Sequence, residues 1–203
     1  MHKGVQMRKT YFLVLMTMAL FMGSQLRLDK SLAATEPPAE GGVLPDFSLP
    51  APESPEARKY LGLEGKNSFK IPQIEAEVVV VEIFSMYCPH CQKEAPIVNK
   101  FYQAVAKESN LGDKVKIIGI GVGNTPYEVN IFKDRYKIPF PLFPDADFSI
   151  HQLVGEVRTP YFIVVKINDD GSHKVIYSQL GSFGDPEDFL QEIVKRSRIK
   201  EGK

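Results

Sequence analysis

The sequence predicts an α/β fold in which a central mixed β-sheet is covered by helices on both faces. Two observations carry this expectation. Val78 to Phe84 (VVVVEIF) and Val115 to Val122 (VKIIGIGV) are nearly unbroken β-branched runs, the pattern of strands buried on both faces, and a helical stripe separates them. Further on, Tyr161 to Ile167 and Lys174 to Gln179 flank the turn signal Asn168-Asp169-Asp170-Gly171, which predicts an antiparallel hairpin. A strand–helix–strand unit followed by a hairpin gives parallel and antiparallel pairings in one sheet. The length of 203 residues, with 43% hydrophobic and 25% charged, fits one globular core.

In chain order, Arg8 and Lys9 precede the apolar run Tyr11 to Gly23, and the small residues Ser31-Leu32-Ala33-Ala34 follow. This is the layout of a secretory signal, so residues 1–34 are expected to be a signal peptide or an N-terminal membrane anchor. As a helix the run spans roughly 20 Å against about 30 Å of hydrocarbon, short for a permanent span. Either reading places the folded part in the periplasm or on the extracytoplasmic side of the membrane. Without those residues the chain keeps 20 basic against 24 acidic side chains, no surplus for a phosphate backbone, so nucleic acid is not an expected partner. Residues 35–44 read as a Pro-rich lead-in, and the packed domain is expected over 45–203. Val98, Phe101, Tyr102 and Val105 recur at helical spacing after Cys88, with Pro96 expected to kink that helix. Thr125-Pro126 opens a second helix running to about Lys137, and Asp185-Pro186 a final one with Phe189, Leu190, Ile193 and Val194 inward.

Both cysteines of the chain lie in one tetrapeptide, Cys88-Pro89-His90-Cys91, where the first strand meets its helix. Their spacing places the sulfurs on one helical turn, close enough for a local disulfide. Free N–H groups and the helix dipole favour the Cys88 thiolate, and a protonated His90 adds to that, so Cys88 is the expected nucleophile. Cys91, a turn deeper, would resolve the mixed disulfide. A structural staple is the poorer reading, because closing so short a loop contributes only about 2 kcal/mol. Metal binding lacks ligands: His2, His151 and His173 show no cysteine partner or ligand-like spacing. No cofactor beyond a redox-active Cys88–Cys91 disulfide is expected.

From Glu82 to Cys91 the chain resembles the thioredoxin superfamily, its motif being DsbA-like. Leu44 to Leu49, Ile138 to Asp145 and Val157 to Phe162 resemble the TlpA/ResA-like redoxins, so the resemblance covers about residues 45 to 197 and implies a thioredoxin-like fold. It implies that Glu82 exchanges a proton with the resolving cysteine, against a strand-end glutamate that reaches solvent. It implies further that Thr159-Pro160 is a cis-proline loop facing the disulfide, where an extended substrate can pair with Thr159. Tyr87 and Phe183 are expected at an apolar rim for substrate. The expected function is an extracytoplasmic thiol:disulfide oxidoreductase acting on protein thiols and recycled by a membrane or periplasmic redox partner. Its rivals are a reductase for cytochrome c maturation and a peroxiredoxin-like thiol peroxidase, for which Ser85 replaces the expected threonine. A copper-delivery protein of the Sco type needs three residues between its cysteines, not two.

Overall fold

The computed structural model describes residues 36–65 and 67–199. The signal or anchor expected over residues 1–34 lies outside them. None of the described helices is long and apolar enough to cross a membrane.

Five strands form one sheet: β1 (Val78–Phe84), β2 (Val115–Val122), β3 (Leu142–Asp145), β4 (Tyr161–Ile167) and β5 (His173–Leu180), in the order β3-β2-β1-β4-β5. β1 pairs parallel with β2 and antiparallel with β4; β2 pairs parallel with β3, and β4 antiparallel with β5. The mixed sheet and the hairpin are as expected. The helices are α1 (Pro55–Leu61), α2 (Pro89–Lys107), α3 (Pro126–Tyr136), α4 (Ser149–Leu153) and α5 (Pro186–Ser197).

Strand alternation sorts the core into two halves. Val78, Val80 and Phe84 face a cluster that includes Cys91, Val98 and Phe101 of α2, Phe132 of α3 and Phe189 of α5. Val79, Val81 and Ile83 face the opposite cluster with Leu61 of α1, Ile150 of α4 and Phe47, Leu49 and Phe69 of the N-terminal segment. Helices therefore cover both faces, and the even-numbered face of β1 is the one that meets α2.

Capping explains where the helices start. Thr125 accepts from the Glu128 N–H while Glu128 accepts from the Thr125 N–H, closing a capping box on α3, and Asp185 accepts from the N–H groups of Glu187 and Asp188 on α5. α2 runs through Pro96 as one 19-residue helix.

Packing begins earlier than the expected boundary at Pro45. Gly41 donates to the Val175 carbonyl at 2.8 Å, Val175 donates to Gly42 at 2.9 Å, and Leu44 is buried. The lead-in is held because its backbone adds to the free edge of β5, so proline content there does not make a tether.

Candidate active site

Cys88 is the N-cap of α2 and Cys91 sits in its first turn, both as thiols. The Cys88 Sγ accepts from the Cys91 N–H at 3.4 Å, and as a thiol it donates to the Thr159 carbonyl at 3.3 Å. Thr159-Pro160 is a cis peptide, as the resemblance implies, and it brings the start of β4 against the dithiol. Pro160 has no N–H to compete for that edge.

The two sulfurs differ in environment. Cys88 is partly exposed and Cys91 is fully buried. Partial burial pushes the Cys88 thiol up, but hydrogen bonding by the Thr159 side chain and by the backbone N–H groups of Cys91 and His90 outweighs it, and its pKa is lowered overall. Burial dominates at Cys91 and raises its pKa strongly. One sulfur is thus prepared as a thiolate at the surface and the other is held as a thiol inside.

Glu82 occupies the even-numbered face of β1, between Val80 and Phe84, toward α2. It is 2% exposed, which removes the reading of a strand-end carboxylate in solvent, and its Oε1 has no hydrogen-bond partner among the described residues. Desolvation, with a smaller contribution from the charge of Glu94, pushes its pKa to about 8. Gly119 is its register partner on β2; a Cβ there would lie 2.4 Å from Leu142 Cδ2 and 3.1 Å from the Phe84 ring, so a larger residue would require Leu142 to shift.

Three positioning residues escaped the sequence reading. Glu94 lies three residues after Cys91, within the buried stripe of α2; burial raises its pKa, and the Ser182 hydroxyl donates to its carboxylate at 2.9 Å. The signal was available, since an acid on an apolar helical stripe is unusual. Asn124, fully buried after β2, accepts from the Met86 N–H at 2.8 Å and fixes the loop leading to Cys88. Gln92 donates to the Met86 carbonyl at 2.9 Å and holds the same loop from α2. Asn124→Ala leaves the part-buried Met86 N–H without this partner, and a loss of about 1 kcal/mol is expected in urea unfolding.

The two aromatics expected at a rim differ in exposure. Tyr87 is 64% exposed and its hydroxyl donates to Glu128, tying the motif to α3. Phe183 is half-buried: it stacks on Phe189 at 4.2 Å and meets Phe162 edge-on, so one side of its ring packs against the core. His90 is exposed beside Cys88. His151 sits in α4 with Nε2 2.9 Å from the Val157 carbonyl, and His173 lies on β5. Asp145 accepts from the N–H groups of Ile150 and His151 and so serves the turn into α4. Among the described residues no cluster of three or more His, Cys, Asp or Glu could hold a metal ion.

Residues 41–175 match the model of the AhpC/TSA family. The thiol-disulfide oxidoreductase ResA of Halalkalibacterium halodurans is 28% identical over 109 residues, 54% of this chain and 57% of that protein. The chain thus matches less than two thirds of this relative's length. Among solved structures, the thioredoxin domain of a thiol-disulfide oxidoreductase from Bacteroides vulgatus superposes with a TM-score of 0.57 at 18% identity, covering 77% of this chain and 98% of that one. The DsbF structure from Mycobacterium tuberculosis gives 0.52 at 17% identity, covering 74% and 94%. These likenesses establish the thioredoxin-like fold.

Proposed function

The chain belongs to the AhpC/TSA family, and from that premise we propose that it is a thiol:disulfide oxidoreductase acting on protein thiols outside the cytoplasm. The observation that carries the reading is the asymmetric dithiol, an accessible Cys88 of lowered pKa against a buried Cys91 of raised pKa. The name of the Halalkalibacterium relative lends support.

In the reducing direction the Cys88 thiolate attacks a substrate disulfide, one S–S bond breaks and the departing substrate sulfur takes a proton. Cys91, giving its proton to Glu82, then attacks Cys88 Sγ; the mixed disulfide breaks, Cys88–Cys91 forms, and the substrate leaves as a dithiol. Two electrons have moved to the substrate, and the same steps in reverse oxidise it. The direction in the cell is set by a membrane or periplasmic redox partner that resets the pair.

The test uses the full chain oxidised at Cys88–Cys91 and mixed with a reduced, unfolded protein bearing two thiols. Alkylation should show free cysteines appearing in the enzyme as the substrate loses its own. Consumption of hydrogen peroxide without such transfer would instead establish the peroxidase reading, which the family match keeps in view.

His90 bears on the direction. It is exposed two residues after Cys88, and a cationic imidazole there would stabilise the thiolate, hence the reduced state, and make the disulfide more oxidising. His90→Pro is expected to lower the potential by about 30 mV, corresponding to about 1.4 kcal/mol for a two-electron couple, read by equilibration with glutathione buffers. An equal or higher potential in the variant would favour the reductase for cytochrome c maturation.

A further inference from the structure

A cleft of about 500 Å³ opens beside the dithiol, between the first turns of α2, the Arg158–Pro160 loop and the turn after β5. Its apolar lining comes from Ile97, Pro160 and Leu180, and Lys93 and Arg158 line it as well. Both are exposed, and among the described residues neither makes an ion pair, whereas Lys70, Lys114, Lys166 and Arg196 each have a carboxylate partner. Glu94 also lines the cleft, but it is 4% exposed and its carboxylate is turned to the Ser182 hydroxyl, so the exposed charged side chains of the cleft are Lys93 and Arg158.

We infer that this cleft selects extended polypeptide segments with acidic side chains close to the reacting cysteine, and that Lys93 and Arg158 are the groups that read the charge. The inference rests on the exchange reading above and names its substrate class. Residues 35–203 carry 20 basic and 24 acidic side chains, so the domain as a whole repels an acidic segment. Two uncompensated cations at one cleft then attract it there and orient it. Spacing fixes where the acids belong. Arg158 is one residue from the Thr159 edge on which an extended segment can lie, and Lys93 is five residues from Cys88, about 7.5 Å along the helix. At about 3.3 Å per residue of an extended chain, both reach side chains within about three residues of the target cysteine.

The test compares three synthetic peptides, each with one pair of cysteines joined as a disulfide and flanked within three residues by Glu, Gln or Lys. Rates of reduction by the dithiol form of the full chain are measured at low ionic strength, and the Gln peptide sets the reference for each enzyme. The wild type should favour the Glu peptide over the Gln peptide by about fivefold, since two exposed ion pairs are each modest, and should disfavour the Lys peptide. Raising the salt to about 0.5 M should shrink the ratio. In the double variant Lys93→Gln/Arg158→Gln the ratio should approach one. Equal rates for all peptides on the wild type, or a ratio that survives in the double variant, would overturn the charge selection while leaving exchange intact. No reaction with any peptide would overturn the exchange reading itself, and this inference with it.

Discussion

Cys88→Ser is expected to reduce disulfide exchange to the background rate, whereas Cys91→Ser should yield a protein that becomes covalently joined to its substrate. The two outcomes follow from position. Of the two cysteines only Cys88 is exposed to a partner, and only there do hydrogen bonds outweigh burial and lower the pKa, so serine there removes the attacking atom. Cys91 is buried and its pKa is raised, so it reaches no external sulfur; its reaction is with the mixed disulfide on Cys88, one helical turn away. Serine at 91 halts the sequence after the first attack. Non-reducing gel electrophoresis of Cys91→Ser mixed with a disulfide-bonded protein should show a band that disappears with reductant and is absent for Cys88→Ser. Trapping through Cys91 would reverse the roles given to the two sulfurs.

What the sequence made legible was local. β1, β2, the β4–β5 hairpin and the capped starts of α3 and α5 are written in contiguous runs whose period or cap chemistry names them. The elements it left unmarked are short: β3 has four residues including Pro144, tolerable because that strand lies at the sheet edge, and α1 and α4 have only seven and five residues, too few for a periodic stripe. The same distinction governs the site. Cys88, Cys91 and Glu82 lie within ten residues, and a glutamate among valines is conspicuous. Asn124 and Ser182 act across 38 and 88 residues, through a loop clamp and a hydroxyl on a buried acid, and neither long-range contact leaves a periodic trace. Phe183 shows a related limit: its loop position marks it as accessible but not that three other rings hold one side of it against the core.

Glu82→Gln should separate the proton-transfer role of this residue from its effect on stability, because the two have different pH signatures. Burial raises the folded-state pKa from 4.5 to about 8, so the folded protein binds this proton more tightly than the unfolded chain does. The contribution of Glu82 to stability is therefore fully present below about pH 4.5 and is lost as pH rises toward 8, where the buried carboxyl must ionise. The total is up to about 5 kcal/mol, at about 1.4 kcal/mol per pKa unit. Gln keeps the size and carries no charge, so its stability advantage over the wild type should widen from pH 5 to pH 9 in urea unfolding. That result follows from burial alone. The kinetic signature requires that Glu82 take the Cys91 proton: release from the mixed disulfide should quicken in the wild type as Glu82 ionises through about pH 8, while the variant lacks that rise. General-base help of this kind contributes on the order of a hundredfold, which sets the expected deficit at pH 8. A stopped-flow measurement of release between pH 6 and 9 decides the matter. If the variant gains stability at high pH and yet releases substrate at the wild-type rate throughout, Glu82 is a buried acid that shapes stability, and the Cys91 proton leaves by another route.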